Sequence, residues 1–288
     1  MRLLFGILLF KLIIRGGILK FNKIVDTHVH TDNSFDGNHS ATFMCETAEK
    51  MGLRAVVFTD HVEIDLFKSE NYFKVAKQAY FEVAKARSAF RGQLLICAGV
   101  ELGQPAYDTQ EADRLLNTLN YDQVIGTVHN LRGQPDFYFL DYNVTDVHET
   151  LLQYFEELKI MVDWGDFDTL GHLTYPLRYI QGDRQIPVDL SRYARQIDYI
   201  LKGLVEKEKA LEINTSGLRQ NLKDTMPSAD IVRRFKELGG QYITIGSDAH
   251  RADHLGAGVR EGMTIAQECG FDNVTLFQKR EPVQIPIK

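Results

Sequence analysis

Cysteine is scarce: three in 288 residues, Cys45, Cys97 and Cys269, with no CxxC pair. So odd and scattered a set excludes a disulfide framework and a thiolate zinc site, and fits reduced thiols in a cytoplasmic protein. Basic runs are absent. Lys and Arg number 33 against 39 Asp and Glu, for a formal charge of −6. That excludes a cationic surface for nucleic acid. There is no GxSxG elbow and no P-loop, so nothing argues for a covalent nucleophile. Long hydrophobic runs are also missing. Leu3 to Phe10 is apolar, but Lys11 and Arg15 keep the run from extending, and a spanning helix needs about 20 apolar residues. No small-residue cleavage site marks a signal peptide. Residues 1–20 are therefore set apart as an extension, either a mis-called start or a weakly membrane-associating segment. The first reading is preferred, with the natural start near Ile18 or Leu19. Codons for Arg15-Gly16-Gly17 can spell a ribosome-binding sequence, and Leu19 can be a TTG start. No stable membrane partner is expected.

What is present is a rhythm. Hydrophobic residues make up 44% and charged residues 25%, enough for a full core in a soluble globule. From Lys23 onward short apolar runs end in polar residues: "KIVDTHVH", "LRAVVFTDH", "LLICAGVELG", "YDQVIGTVHN", "FDTLGHLT", "ALEINTSG" and "YITIGSDAH". Runs this continuously apolar belong to strands buried on both faces, as in parallel sheets. Amphipathic stretches lie between them. "TFMCETAEKMG" closes on Gly52, a C-cap candidate. "ENYFKVAKQAYFEVAKARSAF" places Phe73, Ala76, Tyr80, Val83 and Ala84 on one face. "PSADIVRRFKELGG" has Pro227 in its first turn. Seven strand–helix units with no linker predict a single closed or nearly closed parallel barrel over residues 21–288. The tail "NVTLFQKREPVQIPIK" reads as a closing strand or an extended strap.

In α/β barrels chemistry collects at the carboxyl ends of the strands. Here each strand ends in a ligand-type group: His28 and His30, Asp60 and His61, Glu101, His129, His172, Asn214, and Asp248 with His250. Residues i and i+2 of a strand face the same way, so His28 and His30 project together, as do Asp248 and His250. First and last strands are neighbours in a closed barrel, and these four side chains converge. A lone strand-end histidine is usually a capped structural residue. Several strands ending in His, Asp or Glu at one face would make a poor core, since a buried polar group without a partner costs about 1–3 kcal/mol. Metal ions supply the partner for all of them, and imidazole with carboxylate suits Zn, Mn or Fe.

"DTHVHT", "FTDH", "GVELG", "GTVHN", "LGHLTYP" and "GSDAH" occur in the order in which they occur in the polymerase and histidinol phosphatase (PHP) superfamily, which the chain resembles from about Ile24 to the last helix. The resemblance implies an α/β fold of one distorted (β/α)7 TIM-like barrel, with two or three divalent or trivalent metal ions at the strand ends. It implies nine ligands. His28, His30, Glu101 and Asp248 would hold one ion; Glu101 would share a second with His129 and His172. Asp36, His61 and His250 would hold a third, with His39 the alternative to Asp36. Asp60 would orient a ligand. "GHLTYPLRY" and "LEINTSGLR" are similar to the monofunctional histidinol-phosphatase branch. That implies hydrolysis of L-histidinol phosphate in histidine biosynthesis, Arg178 and Arg219 as phosphate contacts, and Asn214 and Ser216 shaping the pocket. A planar guanidinium suits a phosphate monoester. Glu63 and Asp65 could bind the substrate's amine, or be solvated helix-start acids. Asp248 or His254 could serve the leaving group.

Three other readings stand beside this one. A PHP phosphoesterase could act on nucleotides or other small phosphomonoesters. An amidohydrolase also opens with HxH, but bridges its metals through a lysine, and no lysine ends a strand here. A metal-stabilised polymerase partner would be expected to have lost ligands.

Overall fold

A computed structural model of the protein describes residues 24–287, together with Ile13–Ile14 and Gly17–Ile18, which pair as a two-residue antiparallel ladder. Apart from that ladder, the extension expected over residues 1–20 lies outside the described residues.

All seven apolar runs form parallel strands. They are β1 (Val25–Val29), β2 (Ala55–Phe58) continued by β3 (His61–Glu63), β4 (Leu95–Gly103), β5 (Gln123–Thr127), β6 (Thr169–Leu170), β7 (Ala210–Asn214) and β8 (Ile243–Gly246). They pair in the order β8-β7-β6-β5-β4-β2-β1, with β3 also on β4. β4 is the long strand because it serves both halves of its neighbour: Leu95 to Ala98 pair with β2, and Glu101 to Gly103 pair with β3. Between the halves Thr59 donates its N–H to Val29 O at 2.8 Å. The barrel closes between β8 and β1 by one bridge, Val29 to Ala249. Two bonds flank it: Asp248 N–H to His28 O and His30 N–H to Ala249 O, each 2.9 Å. The seam is therefore stitched at the carboxyl end, where the expected ligands lie.

Helices return each strand to the bottom of the barrel. They are α1 (Ala41–Met51), α2 (Tyr72–Ala89), α3 (Thr109–Leu116), α4 (Val147–Trp164), α5 (Ala194–Glu206), the single turn α6 (Ser216–Arg219), α7 (Ala229–Glu237) and α8 (Val259–Glu268). Ser40 caps the start of α1 through the Phe43 N–H, and Gly52 ends it at φ 75°, as expected. Two expectations shift. The buried stripe of α2 is Tyr72, Ala76, Ala79, Val83 and Ala86, so Phe73 and Tyr80 flank it and Ala84 faces out. Pro227 precedes α7, which begins after Ser228.

The tail is a strap, and a hairpin: β9 (Asn273–Gln278) pairs antiparallel with β10 (Glu281–Pro286). It crosses the amino-terminal end of the barrel and is not one of its staves. Arg280 reaches Asp168 at 2.6 Å and Asp166 at 3.0 Å. Its backbone N–H and that of Lys279 donate to Asp122. Val274, Leu276, Phe277 and Ile285 bury beneath it.

Candidate metal centre

Glu101 is the hub. It opens the part of β4 that pairs with β3, is 1% exposed, and meets imidazoles from four strands. Its Oε2 lies 3.1 Å from His28 Nε2, 3.4 Å from His30 Nε2 and 3.1 Å from His61 Nδ1. Its Oε1 lies 3.0 Å from His129 Nε2 and 2.8 Å from His172 Nε2. Asp248 approaches from β8, with Oδ1 3.4 Å from His30 Nε2 and 3.5 Å from His250 Nδ1. Asp36 sits on the loop after β1, 3.1 Å from His250 Nε2 and 3.8 Å from His61 Nε2. The structure thus brings together all nine residues expected as ligands. His39 is elsewhere: its Nδ1 accepts from Ala252 N–H and its ring stacks on Phe43.

The imidazoles are oriented from behind. Ser34 Oγ donates to Asp60 at 2.7 Å, so it accepts from His30 Nδ1–H at 3.1 Å. That leaves the His30 Nε2 lone pair facing the cluster. Asp60 therefore acts on His30 through Ser34. Glu63 takes His129 Nδ1–H at 3.0 Å, and Glu212 takes His28 Nδ1–H at 2.7 Å. Glu212, fully buried on β7, is a residue sequence reasoning missed; so is Asp26, which accepts from Ser247 and Gly256 where β8 meets β1. The signal for Glu212 was there, an acid inside the apolar run "ALEIN".

The residues fit metal ions on two observations. His30 Nε2, His61 Nδ1 and His250 Nε2 are buried with no hydrogen-bond partner. In addition, His129 Nε2, His172 Nε2 and Glu101 Oε1 lie 2.8 to 3.4 Å apart, and donors bound tetrahedrally at about 2.1 Å from one ion sit roughly 3.4 Å apart. His28, His30 and Glu101 offer a second set of ligand atoms within 4.8 Å of one another, and His30, His61 and His250 a third. His61, Glu63 and His129 group in the same way.

A family model for the PHP domain matches residues 26–216. The chain belongs to the PHP family. Among curated proteins it is 31% identical over 257 residues to a "Probable histidinol-phosphatase" of Thermotoga maritima, covering 89% of this chain and 97% of that one. It is 28% identical over 267 residues to the histidinol-phosphatase of Lactococcus lactis, covering 88% and 94%. The solved Lactococcus lactis histidinol phosphate phosphatase, a complex with zinc, L-histidinol and phosphate, superposes with a TM-score of 0.75 at 23% identity. That match covers 91% of this chain and 99% of the other, and the likeness is one of fold.

The side chains of this PHP protein's cluster are a dense set of interacting charges. Burial would discharge His28, but Glu212, Glu101 and Asp248 hold its pKa well above the usual imidazole range. Burial is likewise outweighed at His61, where Glu101 and Glu63 hold it up to about 9, and at His129, raised by Glu63 and Glu101. His30 goes the other way, lowered by burial and by His250 and His61 beside it. Against their own burial, Glu101 and Asp248 are held well below the carboxylate range by surrounding imidazoles. His250 and His61 hold Asp36 down to about 2. Asp248 also carries a left-handed backbone, φ 54°, a conformation that side chains other than glycine adopt at a cost and that clusters at functional sites.

Over the cluster opens a cleft of about 880 Å³. Arg178 and Arg219 line it, as do Glu63, Asp65, Asp136 and His254. Arg219 is anchored by Asp248 O at 2.7 Å and by Ser247 O. The Arg178 guanidinium lies 5.6 Å from the centre of the Tyr179 ring and, among the described residues, makes no hydrogen bond or ion pair. Burial and the nearby Arg219 hold His254 below the usual imidazole value.

Three substrate expectations need correction. Asn214 and Ser216 do not shape the cleft: both are fully buried behind it. Asn214 accepts from Ser216 N–H and Oγ–H, and its Nδ2 faces Glu212 and Asp248. The end of β7 turns straight into α6, which points these groups into the wall, where they buttress Asp248. Glu63 is no solvated helix-start acid. It is buried on β3, two residues beyond His61 on the same face, and held by His61, His129 and Gln104. Asp65 is exposed at the rim and accepts from Gln104 and Asn130.

Proposed function

We propose that this PHP protein is a metal-dependent phosphomonoester hydrolase, and specifically a histidinol-phosphatase that releases phosphate from L-histidinol phosphate in the cytoplasm. The observation that carries the reading is the polarity of the cleft. Arg178 and Arg219 line it, Arg219 bonded to the Asp248 carbonyl, and so do Glu63, hydrogen-bonded to His129, Asp65 and Asp136, so the cleft offers both cationic and anionic groups. A substrate with a dianionic phosphate at one end and a cationic amine at the other matches both. The names of the curated relatives, and the histidinol and phosphate held by the Lactococcus protein, support the same substrate.

Two or three Zn, Mn or Fe ions would be held by His28, His30, Glu101 and Asp248, by Glu101, His129 and His172, and by Asp36, His61 and His250. When bound, such ions supply Lewis-acid polarisation of phosphoryl oxygens and bring the pKa of water toward neutrality. The protein's own groups do the rest. Arg219 spends two N–H groups on the carbonyls of Ser247 and Asp248 and keeps three for phosphate. Arg178 keeps all five. Guanidinium donors held in place gain as charge builds on the phosphoryl oxygens. Asp65, at the rim, meets the amine. His254, lowered by burial and by Arg219 beside it, gains basicity when the phosphate dianion arrives and can then give the leaving oxygen its proton, while the Asp248 carbonyl holds Arg219 in place. Burial of the cluster shields it from bulk water and strengthens each of these interactions.

Phosphate release from histidinol phosphate, compared with nucleoside monophosphates, tests the reading. A kcat/KM for histidinol phosphate at least about 100-fold higher is expected, since a site built to pair a charged group rejects substrates lacking it. Equal turnover of nucleotides would replace it with a general PHP phosphoesterase.

A further inference from the structure

One buried side chain outside the expected site sits between the cluster and the rim. Gln104 follows β4 directly and is 1% exposed. Its backbone is left-handed, φ 49° and ψ 46°, ahead of Pro105. A non-glycine residue holds such a backbone only where its surroundings over-determine it. Here the reversal turns the side chain inward, where both ends of its amide are used. The oxygen accepts His129 N–H at 2.9 Å, while the backbone N–H of Gln104 donates to Thr127 O at 2.9 Å. The side chain thus prolongs the β4–β5 ladder by one step and fixes the residue that carries the His129 ring. The nitrogen donates to Glu63 Oε2 at 2.9 Å, and it also faces Asp65 Oδ1 at 3.1 Å and Asn130 Oδ1. Glu63 in turn takes His129 Nδ1–H. The preceding residue makes room for this: a Cβ on Gly103 would stand 2.0 Å from Glu63 Oε2.

We infer that Gln104 is a positioning residue that sets both the backbone and the ring of His129, and that ties them to the rim carboxylate Asp65. The inference rests on the metal reading of the cluster. His129 needs its proton on Nδ1 for its Nε2 lone pair to face Glu101 and His172. Glu63 enforces that tautomer only while its own carboxylate is held in place, and Gln104 supplies the donor that holds it. Because the same nitrogen serves Asp65, the ion shared by Glu101, His129 and His172 and the amine end of the substrate are connected through one amide.

The test uses the full chain stripped of metal and titrated with Zn²⁺ against a chromophoric chelator, beside the melting temperature of the metal-free protein and kcat and KM on histidinol phosphate. Two variants separate position from folding. Q104E keeps the shape and the acceptor for His129 N–H, but replaces the donor with a charge that repels Glu63 and Asp65. Q104G removes the side chain from a backbone that suits glycine, so loss of fold does not obscure the result. In both, one Zn²⁺ site should lose about 10- to 100-fold in affinity, as partners behind metal ligands usually do. The metal-free melting temperature of Q104G should stay near that of the unaltered chain, and KM should rise along with the fall in kcat. Unchanged Zn²⁺ affinity in both variants would overturn the inference. So would a loss of affinity accompanied by a matching fall in the metal-free melting temperature, which marks a structural role alone. Zn²⁺ binding is read without substrate, so a wrong substrate would not disturb it. Failure of the unaltered chain to bind Zn²⁺ would instead remove the metal reading and this inference together.

Discussion

Glu212→Gln is an isosteric change that should disable His28 without touching the cleft. Glu212 is fully buried and receives three donors: His28 Nδ1–H at 2.7 Å on one oxygen, and His172 N–H at 2.8 Å with Asn214 Nδ2 at 3.2 Å on the other. A glutamine has only one oxygen for these two sides. If the oxygen stays with His172 and Asn214, the new NH₂ faces His28 Nδ1, which must then accept. The His28 proton moves to Nε2, aimed at Glu101, and the ring can no longer offer a lone pair to a metal ion. If the amide turns round, two buried donors oppose the NH₂ at a cost of about 1–3 kcal/mol. The first arrangement wins. A hydrogen bond to a charged group contributes about 1.5–3 kcal/mol, or roughly 10- to 150-fold in an equilibrium. That agrees with the 10- to 100-fold typical when a carboxylate behind a metal-binding histidine is lost. Chelator-competition titration of metal-free E212Q, with kcat/KM measured at fixed metal, reads both numbers. Metal affinity within about twofold of the unaltered protein would refute the tautomer argument.

Arg178 gives up only its contact with the Tyr179 ring, so Arg178→Ala should leave the melting temperature nearly unchanged and lower kcat/KM for phosphomonoesters by about 10- to 100-fold, from loss of a charge-assisted contact; unchanged kinetics would remove Arg178 from the phosphate site. Metal affinity should rise with pH. His61 is held up to about 9, and His28 and His129 are also raised. At pH 7 the metal-free cluster therefore carries protons that an ion must displace. The gain should be about tenfold per pH unit for each proton released, and the share due to His61 should fade above pH 9 as that ring loses its proton. Zn²⁺ titrations between pH 6 and 9 check this, and a flat profile would contradict it.

The barrel was legible because strands buried on both faces leave nearly unbroken Val, Ile and Leu runs, and all seven runs became strands. Most of the clustered residues were legible at strand ends, and two-residue periodicity projects His28 with His30 and Asp248 with His250; Asp36, on a loop, and the nine as a set came only from the resemblance to PHP proteins. What escaped was direction beyond the strand ends. Asn214 has the right parity, but the chain turns at once into α6, and no pattern reveals which side of the wall a turn faces. Glu63 could be read as an amine contact or as a helix-start acid, because "TDHVEI" breaks at Asp60. The pairing of His61 with Glu101 and of Glu63 with Gly103 shows the strand resuming. Glu212 was hidden by its apolar neighbours, although its parity with Asn214 placed it inward. The tail hairpin turns at Lys279 and Arg280, both at positive φ, with none of the glycine or asparagine that usually announces such a turn.

The most direct test of the central claim joins metal content to turnover. The protein purified under mild conditions should contain two or three equivalents of Zn, Mn or Fe. It should lose phosphate release from histidinol phosphate when stripped by chelation, and recover it on adding back one of those ions. Full activity in protein stripped of every such ion would contradict the account.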